Sequence, residues 1–191
     1  MWLANVDGSD ARILLQAQRT TLLTWLPGDK LLASRRIRGG SNEEWFILSP
    51  DEGSETKLIQ VPRPRGLALS PDRRYLVYYV TFELEGEKNG LWLVDLQDPK
   101  PVPQKLPFFG SYRWRDDERL IYVPFDPAAT EHNFYEYNIR TGKTRSLFPT
   151  GTNLMIANSD WRISPDGRKI ALVAGKGMAL DGVWVLELNQ D

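Results

Sequence analysis

Apolar residues run through this chain in short bursts. Tyr75-Leu-Val-Tyr-Tyr-Val80, Leu91-Trp-Leu-Val94 and Ile170-Ala-Leu-Val-Ala174 are rich in β-branched and aromatic residues and are bounded by Pro, Gly or Asp. Such bursts predict strands. An amphipathic helix needs apolar residues at i, i+3, i+4 and i+7 over about a dozen positions, and the breakers stand too close together to leave that window. The expected class is all-β.

The bursts also repeat. A tight-turn motif stands at Pro27-Gly-Asp-Lys30, Pro71-Asp-Arg-Arg74, Arg115-Asp-Asp-Glu118 and Pro165-Asp-Gly-Arg168, each ahead of an apolar strand, at spacings of 44, 44 and 50 residues. An aromatic marker follows in each unit at Trp45, Trp92, Tyr135 and Trp184, with a further copy at Trp2. Turn signals at Asp7-Gly8, Asp51-Glu-Gly53, Asp98-Pro99 and Thr141-Gly142 then precede another short strand, so each period holds four strands.

A four-stranded unit of about 44 residues is too small to bury both its faces alone, yet its middle strands are nearly continuously apolar. Each sheet therefore needs neighbours on both faces, and radial stacking of such sheets is the β-propeller blade. The passages Leu69-Ser-Pro-Asp-Arg-Arg-Tyr-Leu76 and Ile163-Ser-Pro-Asp-Gly-Arg-Lys-Ile-Ala-Leu172 resemble the Ser-Pro-Asp-Gly repeat of TolB-like, WD40-like propellers. Trp2-Leu-Ala-Asn-Val-Asp-Gly-Ser-Asp10 is similar to the segment joining that repeat's third and fourth strands. The resemblance spans essentially the whole chain and is weakest at Arg115, where Pro is missing. It implies a fold and a habit of binding, and it carries no catalytic residues.

With strands a to d running outward, the chain opens with c and d (residues 1–19), passes through three complete blades (20–62, 63–107 and 108–149) and closes with a, b and c (150–191). The expectation is a single repeat domain of seventeen strands, an all-β propeller of about four blades with incomplete blades at both ends. Joining the strand at Arg12 to Leu15 to the last three would close four blades, but Trp2's strand would then duplicate that of Trp184. An open segment of a larger propeller is favoured. Unpaired blade edges predict self-association.

Antiparallel strands put the short, uniform a-to-b and c-to-d turns at one end of every blade and the long, irregular loops at the other. The irregular set comprises the b-to-c loops at 38–42, 81–89, 124–133 and 175–182 and the d-to-a loop at 149–158. Repeat scaffolds place their differences at the binding face.

Composition narrows the chemistry. Lys and Arg number 24 against 25 Asp and Glu, a formal net charge of -1, so no nucleic-acid partner is expected. The absence of Cys excludes disulfides, Cys-ligated zinc and a thiol nucleophile. No apolar run approaches the length of a membrane span, and Asp7 and Asp10 interrupt the place where a signal peptide would be apolar. A soluble chain without membrane insertion is expected, while the TolB resemblance points to a cell envelope.

A Ser, His and acid triad would have to use His132, the one His, and no Gly-x-Ser-x-Gly turn presents a serine. His132 also lacks partner ligands, so no metal or cofactor is assigned. Asp116-Asp117 and Asp51-Glu52 occupy turns, and Glu83, Glu85 and Glu87 read as a solvated strand edge. All seven Trp fall at recurring positions, which predicts packing between blades. The candidate binding residues lie outside the repeat pattern on the irregular face: Phe82, Phe108, Phe109 and Phe125, with His132, Arg36 and Arg38.

The expected function is a non-catalytic scaffold that binds a protein or peptide partner through this face, as the resemblance implies. The alternative resembles the propeller gating domain of prolyl oligopeptidase-like serine peptidases, whose catalytic domain lies outside the propeller.

Overall fold

The computed structural model describes residues 1–16, 19–129, 131–148, 155–175 and 182–188, without the side chains of residues 155 and 157–159. The b-to-c loop expected at 175–182 and the d-to-a loop at 149–158 fall largely outside them. Seventeen strands form among the described residues, in five sheets. β1 (Trp2–Leu3) pairs with β2 (Arg12–Ile13). β3 (Thr20–Leu26), β4 (Lys30–Arg36), β5 (Asn42–Ser49) and β6 (Ser54–Pro62) form the first four-stranded sheet. The second comprises β7 (Arg65–Leu69), β8 (Tyr75–Val80), β9 (Gly90–Asp95) and β10 (Gln104–Lys105). The third comprises β11 (Gly110–Trp114), β12 (Arg119–Pro124), β13 (Tyr135–Asn138) and β14 (Thr144–Ser146). The last has three strands, β15 (Met155–Ile163), β16 (Lys169–Gly175) and β17 (Gly182–Glu187).

Strands are neighbours in chain order within every sheet, which is the blade pattern the sequence predicts, with two strands first and three last. Among the described residues β2 pairs with β1 and not with the last sheet, so the closure that would use it is not made there. By packing, the chain groups into two compact units, Met1–Leu67 with Tyr78–Gln104 and Ala68–Val77 with Lys105–Asp191.

In the first unit, β4 is buried on both faces. Leu31 and Ala33 pair with Leu48 and Phe46 on one face and pack against Met1, Leu14 and Leu15. Leu32 and Ser34 point the other way, as alternation along a strand requires, and Ser34 pairs with Trp45. Trp45 is fully buried and meets Tyr78 edge to face, with ring centroids 5.0 Å apart.

In the second unit the core joins Ile121, Val123 and Phe134 to Trp161, Ile170, Leu172 and Ala174. Trp161 donates from Nε1 to Ser111 Oγ at 2.9 Å and packs edge-on against Phe134. Among the described residues β16 buries Ile170, Leu172 and Ala174 on one face, while on the other Ala171 is exposed and Val173 half-buried. The seven Trp are therefore not equivalent. Trp45 and Trp161 are buried, whereas Trp2 is 68% exposed and Trp184 36%, both in sheets with fewer than four strands among the described residues.

The second and fourth tight turns share one mechanism. In the second turn motif Ser70 Oγ donates to Asp72 Oδ1 at 2.5 Å and accepts from Tyr75 N–H. Ser164, Asp166 and Lys169 repeat this in the fourth. Where Pro is missing, Asp116 Oδ1 takes the N–H groups of Glu118 and Arg119, so the turn survives on its Asp.

Candidate functional site

At the loop end of the first four-stranded sheet, β4 runs out through Arg35 and Arg36, whose side chains leave on opposite faces. Arg35 is absorbed into a ladder across the sheet. Its Nε lies 3.3 Å from Glu44 Oε2, it also pairs with Glu55, and Lys57 Nζ reaches Glu44 Oε1 at 2.7 Å. The hydrogen bond from Lys57, aided by the charges of Lys57 and Arg35, holds the Glu44 carboxyl below its ordinary value.

Arg36 faces the other way and is exposed. Beyond it, Ile37 N–H donates to Asn42 C=O at 2.9 Å and closes the loop Arg38-Gly39-Gly40-Ser41. Gly39 has φ +82° with nothing near its missing Cβ, so a Gly is required by the backbone and leaves open space beside it. Two connectors lie against this loop: Arg36 N–H donates to Arg19 C=O, and Arg63 N–H to Ser41 C=O.

The result is a cleft of about 720 Å³ with Arg19, Arg36, Arg63 and Arg65 on its walls and Glu43 as its one acidic neighbour. An adjoining hollow of about 630 Å³ shares Arg19 and Arg36 and adds Arg35, Arg38 and Glu44. Arg63 Nε lies 3.4 Å from Glu83 Oε1. Among the described residues Arg19, Arg36, Arg38 and Arg65 have no carboxylate within ion-pair distance, although the chain as a whole is slightly acidic.

Besides the turn residues Asp10 and Asp29, three residues of this unit sit in the left-handed backbone region, where a non-Gly residue costs on the order of 1 kcal/mol or more. They are Arg19 (φ 59°), Arg63 (φ 36°) and Phe82 (φ 64°). Phe82 follows β8 and is held there from the next residue on. Glu83 N–H donates to Asn89 Oδ1, Asn89 Nδ2 donates back to Glu83 C=O, and Glu83 meets Arg63. The Phe82 ring is 78% exposed, with the Arg65 guanidinium 6.0 Å from its centroid.

The structure thus brings Arg36, Arg38 and Phe82 into one unit. Phe109 and Phe125, in the second unit, touch edge to face at 6.3 Å, and both are exposed. Phe108 stacks on Tyr122 at 3.7 Å and meets Tyr137, so its ring supports those two tyrosines. His132 accepts the Ile156 N–H at Nδ1 over 3.1 Å, which puts the proton of the neutral ring on Nε2. Among the described residues no group of three or more His, Asp or Glu could hold a metal ion, and no helix is long and apolar enough to cross a membrane.

Arg19, Arg63 and Arg65 were not among the sequence candidates. The signal was present in the d-to-a connectors, where Arg19 and Arg63 stand one period of 44 residues apart.

No family model matches the sequence, and no curated protein does. Solved structures do match. TolB from Acinetobacter baumannii superposes with a TM-score of 0.54 at 17% identity, over 98% of this chain and 46% of that one. The β-propeller domain of the Trilobed protease from Pyrococcus furiosus gives 0.63 at 14% identity, over 97% and 60%. An acylaminoacyl peptidase from Pyrococcus horikoshii gives 0.61 at 13%, over 96% and 33%. The chain spans less than two thirds of each, and identities this low speak to fold alone. With the order of strands in its sheets, they show that the chain has the fold of β-propeller blades.

Proposed function

We propose that this chain is a non-catalytic binding module that takes a protein or peptide partner at the loop end of its blades. The observation that carries this reading is Phe82, a bulky ring exposed to water, in a backbone region that bulky residues avoid, held there by Asn89 and Arg63. Exposed aromatics beside arginines are the composition of interface hot spots. The one His spends Nδ1 on a backbone N–H, which also favours binding over hydrolysis. TolB-like propellers supply the precedent for partner binding.

The test is photo-crosslinking with p-benzoyl-phenylalanine in place of Phe82, and in place of Val102 as an exposed control in the same unit. A discrete crosslinked protein at position 82, absent at 102, supports the reading; identical patterns at both positions remove it.

A second reading is favoured by the superposition on peptidase propellers at TM-scores of 0.63 and 0.61. In it the blades gate a serine peptidase carried on the same polypeptide. An antibody to this chain that detects a larger native polypeptide labelled by a fluorophosphonate would establish it, and an unlabelled native polypeptide would end it.

A further inference from the structure

We propose that the arginine cleft of the first unit is a binding site for an acidic peptide segment, whose Asp or Glu carboxylates pair with Arg19, Arg36, Arg38 and Arg65. This deepens the partner-binding reading and rests on it for the peptide nature of the ligand.

In a repeat protein, what recurs serves the scaffold and what occurs once is free to serve a ligand. Arg36 and Arg38 occur once, whereas Arg19 and Arg63 stand at equivalent positions one period apart. At the positions of Arg36 and Arg38 the next two blades carry Val80 and Phe82, then Pro124 and Asp126, none of them basic. Guanidinium groups crowded at one end of a sheet repel one another, and although Glu43 pairs across the strands with Arg36, no carboxylate of the described residues lies within ion-pair distance of Arg19, Arg36, Arg38 or Arg65. Arg19 and Arg63 also occupy left-handed positions that Gly or Asn fills with less strain, so the side chain is kept against a backbone preference.

Carboxylate is the anion this surface already accepts. Arg35 is seated on Glu44 and Glu55, and Arg63 on Glu83. A planar guanidinium fork fits a carboxylate with two parallel hydrogen bonds. Two adjoining hollows of about 720 and 630 Å³ suit an extended segment rather than one small anion. The bare Gly39-Gly40 wall lets a backbone approach. The formal net charge of -1 works against long polyphosphate partners.

The experiment uses the full 191-residue chain and fluorescence anisotropy with a short fluorescein-labelled peptide of alternating Glu and Ala, its Gln counterpart and a phosphoserine counterpart. The expected result is binding of the Glu peptide and not the Gln peptide. Arg36→Ala with Arg38→Ala should weaken it about tenfold or more, the corresponding Lys variants should restore part of it, and Lys100→Ala should change nothing. Raising salt from ~0.1 M to ~1 M should weaken it further, as the screening length falls. Equal binding of the Gln peptide overturns the proposal, as does a correctly folded double variant that binds like the parent. Binding of the phosphoserine peptide alone overturns it in favour of a phosphate site. Should the double variant fail to fold, Arg65→Ala, on a different strand, carries the same comparison. A crosslinked partner at position 82 with no Glu-peptide binding would remove this site alone. Arg-dependent peptide binding without a crosslinked protein would remove the Phe82 reading and leave the cleft.

Discussion

Arg115 and Glu136 form an ion pair with only 5% and 6% of their side chains exposed. Arg145 approaches the other oxygen of Glu136 at 2.8 Å, and Arg115 Nε donates to Gly167 C=O at 3.1 Å, so the buried charges are hydrogen-bonded on several sides. Removing one member leaves the other charged and dry. Glu136→Ala should cost about 3–5 kcal/mol, read as a lower urea midpoint. Replacing the pair together, Arg115→Met with Glu136→Leu, should recover most of that loss, because an apolar pair of similar volume pays no desolvation. A double variant as unstable as Glu136→Ala would contradict this account.

Gly110 opens β11 opposite Pro124, and a Cβ there would lie 2.0 Å from the carbonyl oxygen of Val123. The obstacle is backbone, so β11 and β12 must part to admit it. Gly110→Ala should cost about 1–3 kcal/mol. At Gly40 the nearest atom to a new Cβ is Asn42 N at 3.8 Å, and Gly40→Ala should stay within about 0.5 kcal/mol of the parent. Equal urea midpoints for the two variants would refute the steric argument.

Glu44 sets an acid limb. Its folded carboxyl is held below the ordinary value of 4.5, first by the hydrogen bond from Lys57. A depressed carboxyl stabilises the fold above its unfolded pKa, and the contribution is lost as pH falls through the folded one. The loss therefore begins near 4.5 and is completed below it. Lys57 is 57% exposed, so screening keeps the effect to about 1 kcal/mol or less. Glu44→Gln should lower the urea midpoint at neutral pH and flatten its fall on acidification; parallel curves for variant and parent would disprove the assignment.

Strand order was legible because it rests on local signals. Alternating or continuous apolar residues mark β4, β8 and β16, and turn chemistry marks their ends, even at Asp116, where the motif is degraded. What a periodic signal does not encode is which neighbour covers each copy. Trp2 and Trp45 share a repeat position, yet one is exposed and the other buried, because burial depends on the sheet opposite. Arg36 and Arg38 were legible as basic residues on the irregular loops. Separating Arg36 from Arg35 needed the pleat, which sends Arg35 to Glu44. The left-handed backbone of Phe82 was not legible, since hydrogen bonds from Asn89, seven residues on, help to hold it.

Arg19 joins the stability of the fold to the proposed site. Its φ of 59° is one that Asn adopts more readily than Arg, because a short polar side chain bonds locally to the backbone. Its carbonyl, which accepts the Arg36 N–H at 3.2 Å, is a backbone group and survives substitution. Arg19→Asn should therefore raise the urea midpoint slightly, by up to about 1 kcal/mol, while removing one guanidinium from both hollows. Glu-peptide affinity should fall in the same protein. A variant that gains stability and loses affinity is the signature of a residue kept for binding at the expense of the backbone. A variant that loses stability would mean that the Arg19 side chain supports the fold, and the left-handed residue would then need no ligand to explain it.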